Sequence, residues 1–320
     1  MTIVLSSPFW LLSRGGFAHP KQLSFAAIHH AQIAIERGIY GVFRRDEQLF
    51  LLPKFGDFFI VGPYQPAAED PRKAFGRGDE DTAEGTRVKF PKGLSASFWR
   101  GVFELDGKWF FLDSYRRRLL VREKLDGEWR LPRDLVLDLI RPPADDRGPP
   151  IWQEVASLRQ RFAAALKANQ DNPEIFSDVA ILPQKWRASF GGSQLLVASR
   201  LPGFPLVTLQ CRSQGAGYCQ FHRQCFLSPK DSLAAVDTAG IAVSAARKQI
   251  LIGDYKRHRI LVYRLGSCFH LPHVTTIRLP KKIGPLTALH VDQDDRLWVT
   301  TKDPDPYRNA SVYVWLPADW

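Results

Sequence analysis

The sequence predicts an all-β protein whose small sheets close into a ring, a β-propeller with one helical insertion. Three observations predict it. Short runs of Val, Ile, Leu, Phe, Tyr and Trp recur along the chain, separated by tight polar turns. Two of these units, far apart in the chain, superpose residue for residue: Asp113 falls on Asp254, Arg118 on Arg259, and Leu119-Leu120-Val121 on Ile260-Leu261-Val262. A sheet this small cannot bury its own face. Copies must stack, and closing the stack into a ring removes the open edges.

The elements follow in order. Residues 1–34 form an N-terminal segment that would supply a closing strand, and residues 35–125 hold the first blades. The first unit runs from Val42 through Leu49-Phe50-Leu51-Leu52 and a Lys54-Phe55-Gly56-Asp57 turn to Phe58-Phe59-Ile60-Val61. The second starts at Val102, turns at the hairpin pair Asp106-Gly107 and reaches Asp113. Residues 126–177 break the β pattern. Arg141 to Pro150 is a Pro-rich loop, and Ile151, Trp152, Val155, Leu158, Phe162 and Leu166 then recur at helical spacing. Asn169-Gln170-Asp171-Asn172-Pro173 stops that helix. Residues 178–320 hold the remaining units: Gln194 to Leu209, Val243 to Val262, and His290 to Trp315. Five units are recognised. A degenerate sixth within 126–177 would make six blades; a five-membered ring is the alternative.

The run Gly240-Ile241-Ala242-Val243, followed by a strand ending in Asp254 and then Arg259-Ile260-Leu261-Val262, resembles an NHL repeat. The unit ending at Val121 resembles it too, and the other three match loosely. The resemblance implies a ring that usually has six blades. It also implies a preformed face for partners, in some members single-stranded RNA.

The net charge of +11 is the strongest compositional bias. It favours acidic partners, although charge alone speaks to encounter and solubility. Tyr115-Arg116-Arg117 and Tyr255-Lys256-Arg257 occupy the same inter-strand turn of two units, which makes them the candidate ligand-binding residues. A rigid platform that binds a protein or polyanion on one face is therefore the leading function. The sequence contains no apolar run of about 18 residues, so no membrane-spanning helix is expected. Cysteine usage leans towards the cytoplasm and leaves export open.

Two other functions remain. An exported structural module would carry its four cysteines as disulfides. A propeller hydrolase or lyase would hold a metal or acid–base site in the central channel. No hydrolase or phosphate-loop motif is present, so no catalytic residue is assigned. Asp57, Glu104, Asp178, Asp237, His290 and Asp292 are the groups such a channel site would draw on; sequence does not orient them, and a turn or surface role is the competing reading of each. Cys211, Cys219, His222 and Cys225 would make a zinc set of four ligands, although their spacing is not that of a standard finger. Disulfide and free thiol are competing states for those cysteines. The repeated Asp–Arg pairs are read as architecture, because an active site is built once.

Overall fold

The computed structural model describes residues 21–24, 39–46, 48–53, 58–61, 85–88, 98–105, 107–116, 118–122, 151–172, 174–211, 219–225, 237–267, 270–279, 284–302, 311–315, 317 and 320. They fold into five antiparallel sheets. The first holds β2 (Ile39–Arg45), β3 (Gln48–Pro53), β4 (Phe58–Val61) and β5 (Gly85–Val88). The second holds β6 (Trp99–Leu105), β7 (Lys108–Asp113) and β8 (Arg118–Arg122). The third holds β9 (Phe176–Ile181), β10 (Leu195–Ser199), β11 (Leu206–Cys211) and β12 (Cys219–Gln224). The fourth holds β13 (Thr238–Ser244), β14 (Gln249–Asp254), β15 (Arg259–Arg264) and β16 (His273–Arg278). The fifth holds β17 (Leu286–Val291), β18 (Leu297–Thr301) and β19 (Ser311–Trp315), and β1 (Lys21–Ser24) completes it by pairing with β19.

The first strands of the sheets touch in a circuit. β2 packs on β6, β6 on β9, β9 on β13, β13 on β17, and β17 back on β2. This circuit is the propeller, with its inner strands around one axis. Among the described residues no strand lies between Arg122 and Phe176, the stretch where a sixth blade was expected.

Sandwiching between neighbours explains the continuous apolar strands. On β14, Ile250 and Ile252 pack towards the third sheet with Leu196 and Leu206. Leu251 points the other way, into a cluster with Leu286, Leu297 and Val299 of the fifth. Both faces of the strand are thus buried, and the alternation in hydropathy disappears. Polar stitches join the sheets near the start of the inner strands. Ser177 Oγ donates to Thr238 Oγ1 at 3.0 Å, and Thr287 Oγ1 donates to the Ile39 carbonyl.

The helix α1 (Ile151–Ala168) lies over the seam between the second and third sheets. Phe162 and Leu166 are fully buried there, and the Phe162 ring meets Phe204 edge-on at 5.2 Å. No helix among the described residues is long and apolar enough to cross a membrane.

The two superposed units share their pairing. Asp113 sits opposite Arg118 just as Asp254 sits opposite Arg259. Asp254 Oδ2 accepts from Arg259 Nε at 2.9 Å, with the carboxylate fully buried. Asp113 Oδ1 accepts the amides of Phe98 and Arg116 and so ties the turn to the preceding strand.

Candidate functional site

The five inner strands enclose a cavity of about 430 Å³ on the ring axis. It runs from Asp178, near the start of the inner strands, to the hairpins at their far ends, where Arg45, Asp46 and Gln293 line it. Glu104, Asp178, His290 and Asp292, four of the six channel candidates named from the sequence, line this cavity. Asp237 lies instead at the beginning of β13, where it pairs with Arg200 at 3.0 Å. Asp57 lies outside the described residues.

One wall is a clamp between β2 and the β17–β18 hairpin. Arg44 Nη1 bridges Asp292 Oδ2 at 2.7 Å and Asp294 Oδ2 at 2.6 Å. Asp292 Oδ1 accepts the amides of Asp294 and Arg296, both at 2.9 Å, and its Oδ2 also accepts Trp298 Nε1 at 2.9 Å. Burial pulls against the Arg44 charge, but its bonds to Asp294 and Asp292 win and hold the proton more tightly than usual. The Arg44 bond in turn keeps the Asp294 carboxyl below the ordinary carboxylate range.

His290 stands beside this clamp. Its ring packs on Phe43 at 4.8 Å and hydrogen-bonds the Arg44 backbone, while its Nε2 is solvent-inaccessible and has no partner. Desolvation pulls the imidazole down to about 4, against the opposing field of Asp292. The ring is therefore neutral at pH 7, with the Nε2 lone pair unused. At the mouth, Arg45 Nη1 holds Glu104 Oε2 at 3.0 Å.

Four carboxyl groups and two guanidiniums line the cavity. Carboxyl groups thus outnumber guanidiniums in the channel lining, within a chain of net charge +11. The floor residue Asp178 is 3% exposed. Burial pushes its carboxyl well above the ordinary range, and hydrogen bonds from the amides of Ile241, Val179 and Leu289 pull the other way.

The basic turns lie towards the opposite end of the ring, and that between β14 and β15 makes contacts with its own scaffold. Lys256 approaches Asp237 at 3.7 Å, Arg257 reaches Asp254 at 3.4 Å, and Tyr255 lies under Arg200. Tyr115 is 50% exposed and Arg116 is exposed, whereas Arg117 lies outside the described residues. These turns and the channel do not form one site.

The cysteine loop is described in part. Cys225 is 2% exposed and disulfide-bonded, so in this state it offers no thiolate to zinc. Cys211 and Cys219 face each other across the β11–β12 ladder. Their side chains and that of His222 lie outside the described residues. Among the described residues no three metal-ligating side chains converge.

Sequence reasoning missed the Arg44–Asp292 clamp and a second buried pair. Arg100 is 1% exposed, reaches Glu174 at 2.5 Å and lies over the Tyr40 ring at 4.2 Å. The available signal was an Arg inside an apolar run, as in Trp99-Arg100-Gly101-Val102, since a buried Arg demands a partner.

No protein-family model matches the sequence, and no curated protein does. Among solved structures, the chain is similar to the glutaminyl cyclase of Myxococcus xanthus, at 9% identity, 94% of this chain, 95% of that chain and a TM-score of 0.48. It is similar to the virginiamycin B lyase of Staphylococcus aureus, at 11% identity, 88% and 67% coverage and a TM-score of 0.36. It is also similar to the β-propeller domain of Cps50 (Swd1) from Myceliophteria thermophila, at 10% identity, 87% and 70% coverage and a TM-score of 0.39. The propeller assignment rests on the sheet order and the circuit of inner strands.

Proposed function

We propose that this chain is a five-bladed propeller of NHL type that binds a small polar molecule in its central channel and acts on it by proton transfer at His290. The observation that carries the reading is the neutral imidazole of His290, half-buried on the wall of a 430 Å³ cavity, whose Nε2 lies beneath the cavity surface without a partner. An unpaired buried acceptor costs free energy, which favours a ligand that draws the half-buried ring round and completes its Nε2. The carboxyl-rich lining favours a neutral or cationic molecule that brings a hydroxyl or ammonium donor. Glu104, held by Arg45 at the mouth, is placed to receive a second polar group. The NHL assignment draws its support from the matched pairing of β6–β8 and β13–β15.

The test is a panel of small amines, polyols, amino acids and carboxylates, read by the imidazole proton resonances of His290. At least one neutral or cationic compound is expected to shift them. His290→Ala is expected to weaken its binding at least tenfold with the unfolding midpoint nearly unchanged. A panel that leaves the resonances unmoved, or binding that survives both His290→Ala and Glu104→Ala, removes the reading.

The interaction platform is a second reading, favoured by the half-exposed Tyr115 beside Arg116. It predicts single-stranded RNA binding with a steep salt dependence, lost in the double substitution Tyr115→Ala, Arg116→Glu. RNA binding that is absent at physiological salt, or that ignores this change, discards it.

A further inference from the structure

The five inner strands break their pairing at one common level. In each ladder a single residue is passed over: Tyr40, Arg100, Ser177, Ala239 and Thr287. The residues that follow are Gly41, Gly101, Asp178, Gly240 and Ala288. Glycine or alanine thus fills the aligned position in every strand except β9, which carries a carboxylate.

The Asp178 carboxylate binds across the channel. Its Oδ1 accepts the Val179 amide at 2.8 Å, and its Oδ2 accepts those of Ile241 at 3.1 Å and Leu289 at 3.4 Å. These amides occupy one position, the residue after the aligned one, in β9, β13 and β17. They lie on the inner edges of strands that have no sheet neighbour on that side, where backbone donors otherwise stay unpaired. The small residues make the room, since a Cβ at Gly101 would fall 2.9 Å from Asp178 Oδ1. Asp178 forms no ion pair with any described residue; the Arg100 charge acts on it from beyond contact, and the amides are its direct partners.

We propose that the inner-edge amides of β9, β13 and β17 form a carboxylate-binding nest at the channel floor, that Asp178 is its resident ligand, and that by occupying the nest this residue keeps anionic ligands out of the channel. Converging backbone N–H groups make an anion site without any cationic side chain. Only the last step rests on the small-molecule reading of the channel; the nest stands without it.

The experiment replaces Asp178 with the residue of the equivalent strands, Asp178→Gly, and supplies sodium formate as the missing ligand. In sodium chloride the unfolding midpoint is expected to drop by several degrees. At equal ionic strength formate is expected to restore at least half of the loss, saturably, and to leave the wild-type midpoint unmoved. Asp178→Asn still fills the space and is expected to ignore formate. The nest is overturned if Asp178→Gly unfolds alike in formate and chloride, matches the wild type, or folds in neither salt. It is also overturned if Asp178→Asn responds as Asp178→Gly does. The ligand panel separates the two claims. Carboxylates that the wild type rejects should enter the Asp178→Gly channel, and their continued exclusion overturns the selectivity step. A panel without any channel binder sinks the small-molecule reading, while the formate result still decides the nest.

Discussion

Asp292→Ala is expected to cost about 3–5 kcal/mol of stability, the range for breaking a buried ion pair by removing one partner. For a chain this size that lowers the unfolding midpoint by on the order of 10 °C. The carboxylate is fully buried and receives four donors: Arg44 Nη1, Trp298 Nε1 and the amides of Asp294 and Arg296. Alanine deletes the acceptor and leaves the donors in place. Trp298 is fully buried, so its indole N–H cannot turn to water. Arg44, 7% exposed, would lean on Asp294, whose side chain is 43% exposed. The position adds weight, because Arg44 belongs to the first sheet and Asp292 to the last, and their bond helps close the ring. Denaturant titration of Asp292→Ala, Arg44→Met and the double variant measures the clamp directly. A double variant close to either single one is the expected pattern, because the clamp fails once. A cost below about 1 kcal/mol for Asp292→Ala would show that the donors find other partners.

Local pattern was legible in the sequence, and long-range pairing was not. The β14–β15 unit and the helix over Ile151–Ala168 could be read because hydropathy and spacing are properties of neighbouring residues. The Asp254–Arg259 pair could be read because both ends lie in one hairpin. Glu104, Asp178, His290 and Asp292 were visible as candidates without a direction. Which way each points depends on the residue skipped in each inner strand, and a strand side chain changes face with a shift of one residue. The signal was present in Ile39-Tyr40-Gly41-Val42, Trp99-Arg100-Gly101-Val102 and Thr238-Ala239-Gly240-Ile241, a small residue before a β-branched one. Phe176-Ser177-Asp178-Val179 joins this series only once the pairing is known. Net charge does not reveal the channel for a related reason. A net +11 is an average over the chain, while the channel gathers carboxylates from different strands. Lys256 and Arg257 look like a free basic patch because Asp237 and the buried side of Asp254 cannot be seen from the turn itself.

Gly240→Ala is expected to cost about 3 kcal/mol, at the upper end for overpacking by a single methyl group, whereas Gly41→Ala should cost less than about 1 kcal/mol. Both glycines hold the same aligned position, so the contrast comes from what a Cβ would meet. At Gly41 the nearest atoms are Leu52 Cβ and Cδ2, at 3.0 and 3.1 Å; Cδ2 can turn away, and the Cβ contact needs a backbone adjustment of only a few tenths of an ångström. The alanine also removes freedom from the unfolded chain, which contributes about 0.4–1 kcal/mol in the opposite direction. At Gly240 the Cβ would lie 2.8 Å from Leu289 N and 3.0 Å from the Ala288 carbonyl carbon. Those are backbone atoms of the neighbouring inner strand, and no rotamer change moves them. The strands must separate, and the Leu289 amide, already at 3.4 Å, must then retreat from Asp178. The clash therefore strikes the β13–β17 contact and the channel floor together. Thermal and denaturant unfolding of the two alanine variants decides the point, since equal costs would mean that the inner strands yield as easily as a leucine side chain and that nothing rigid holds the floor of the channel in shape.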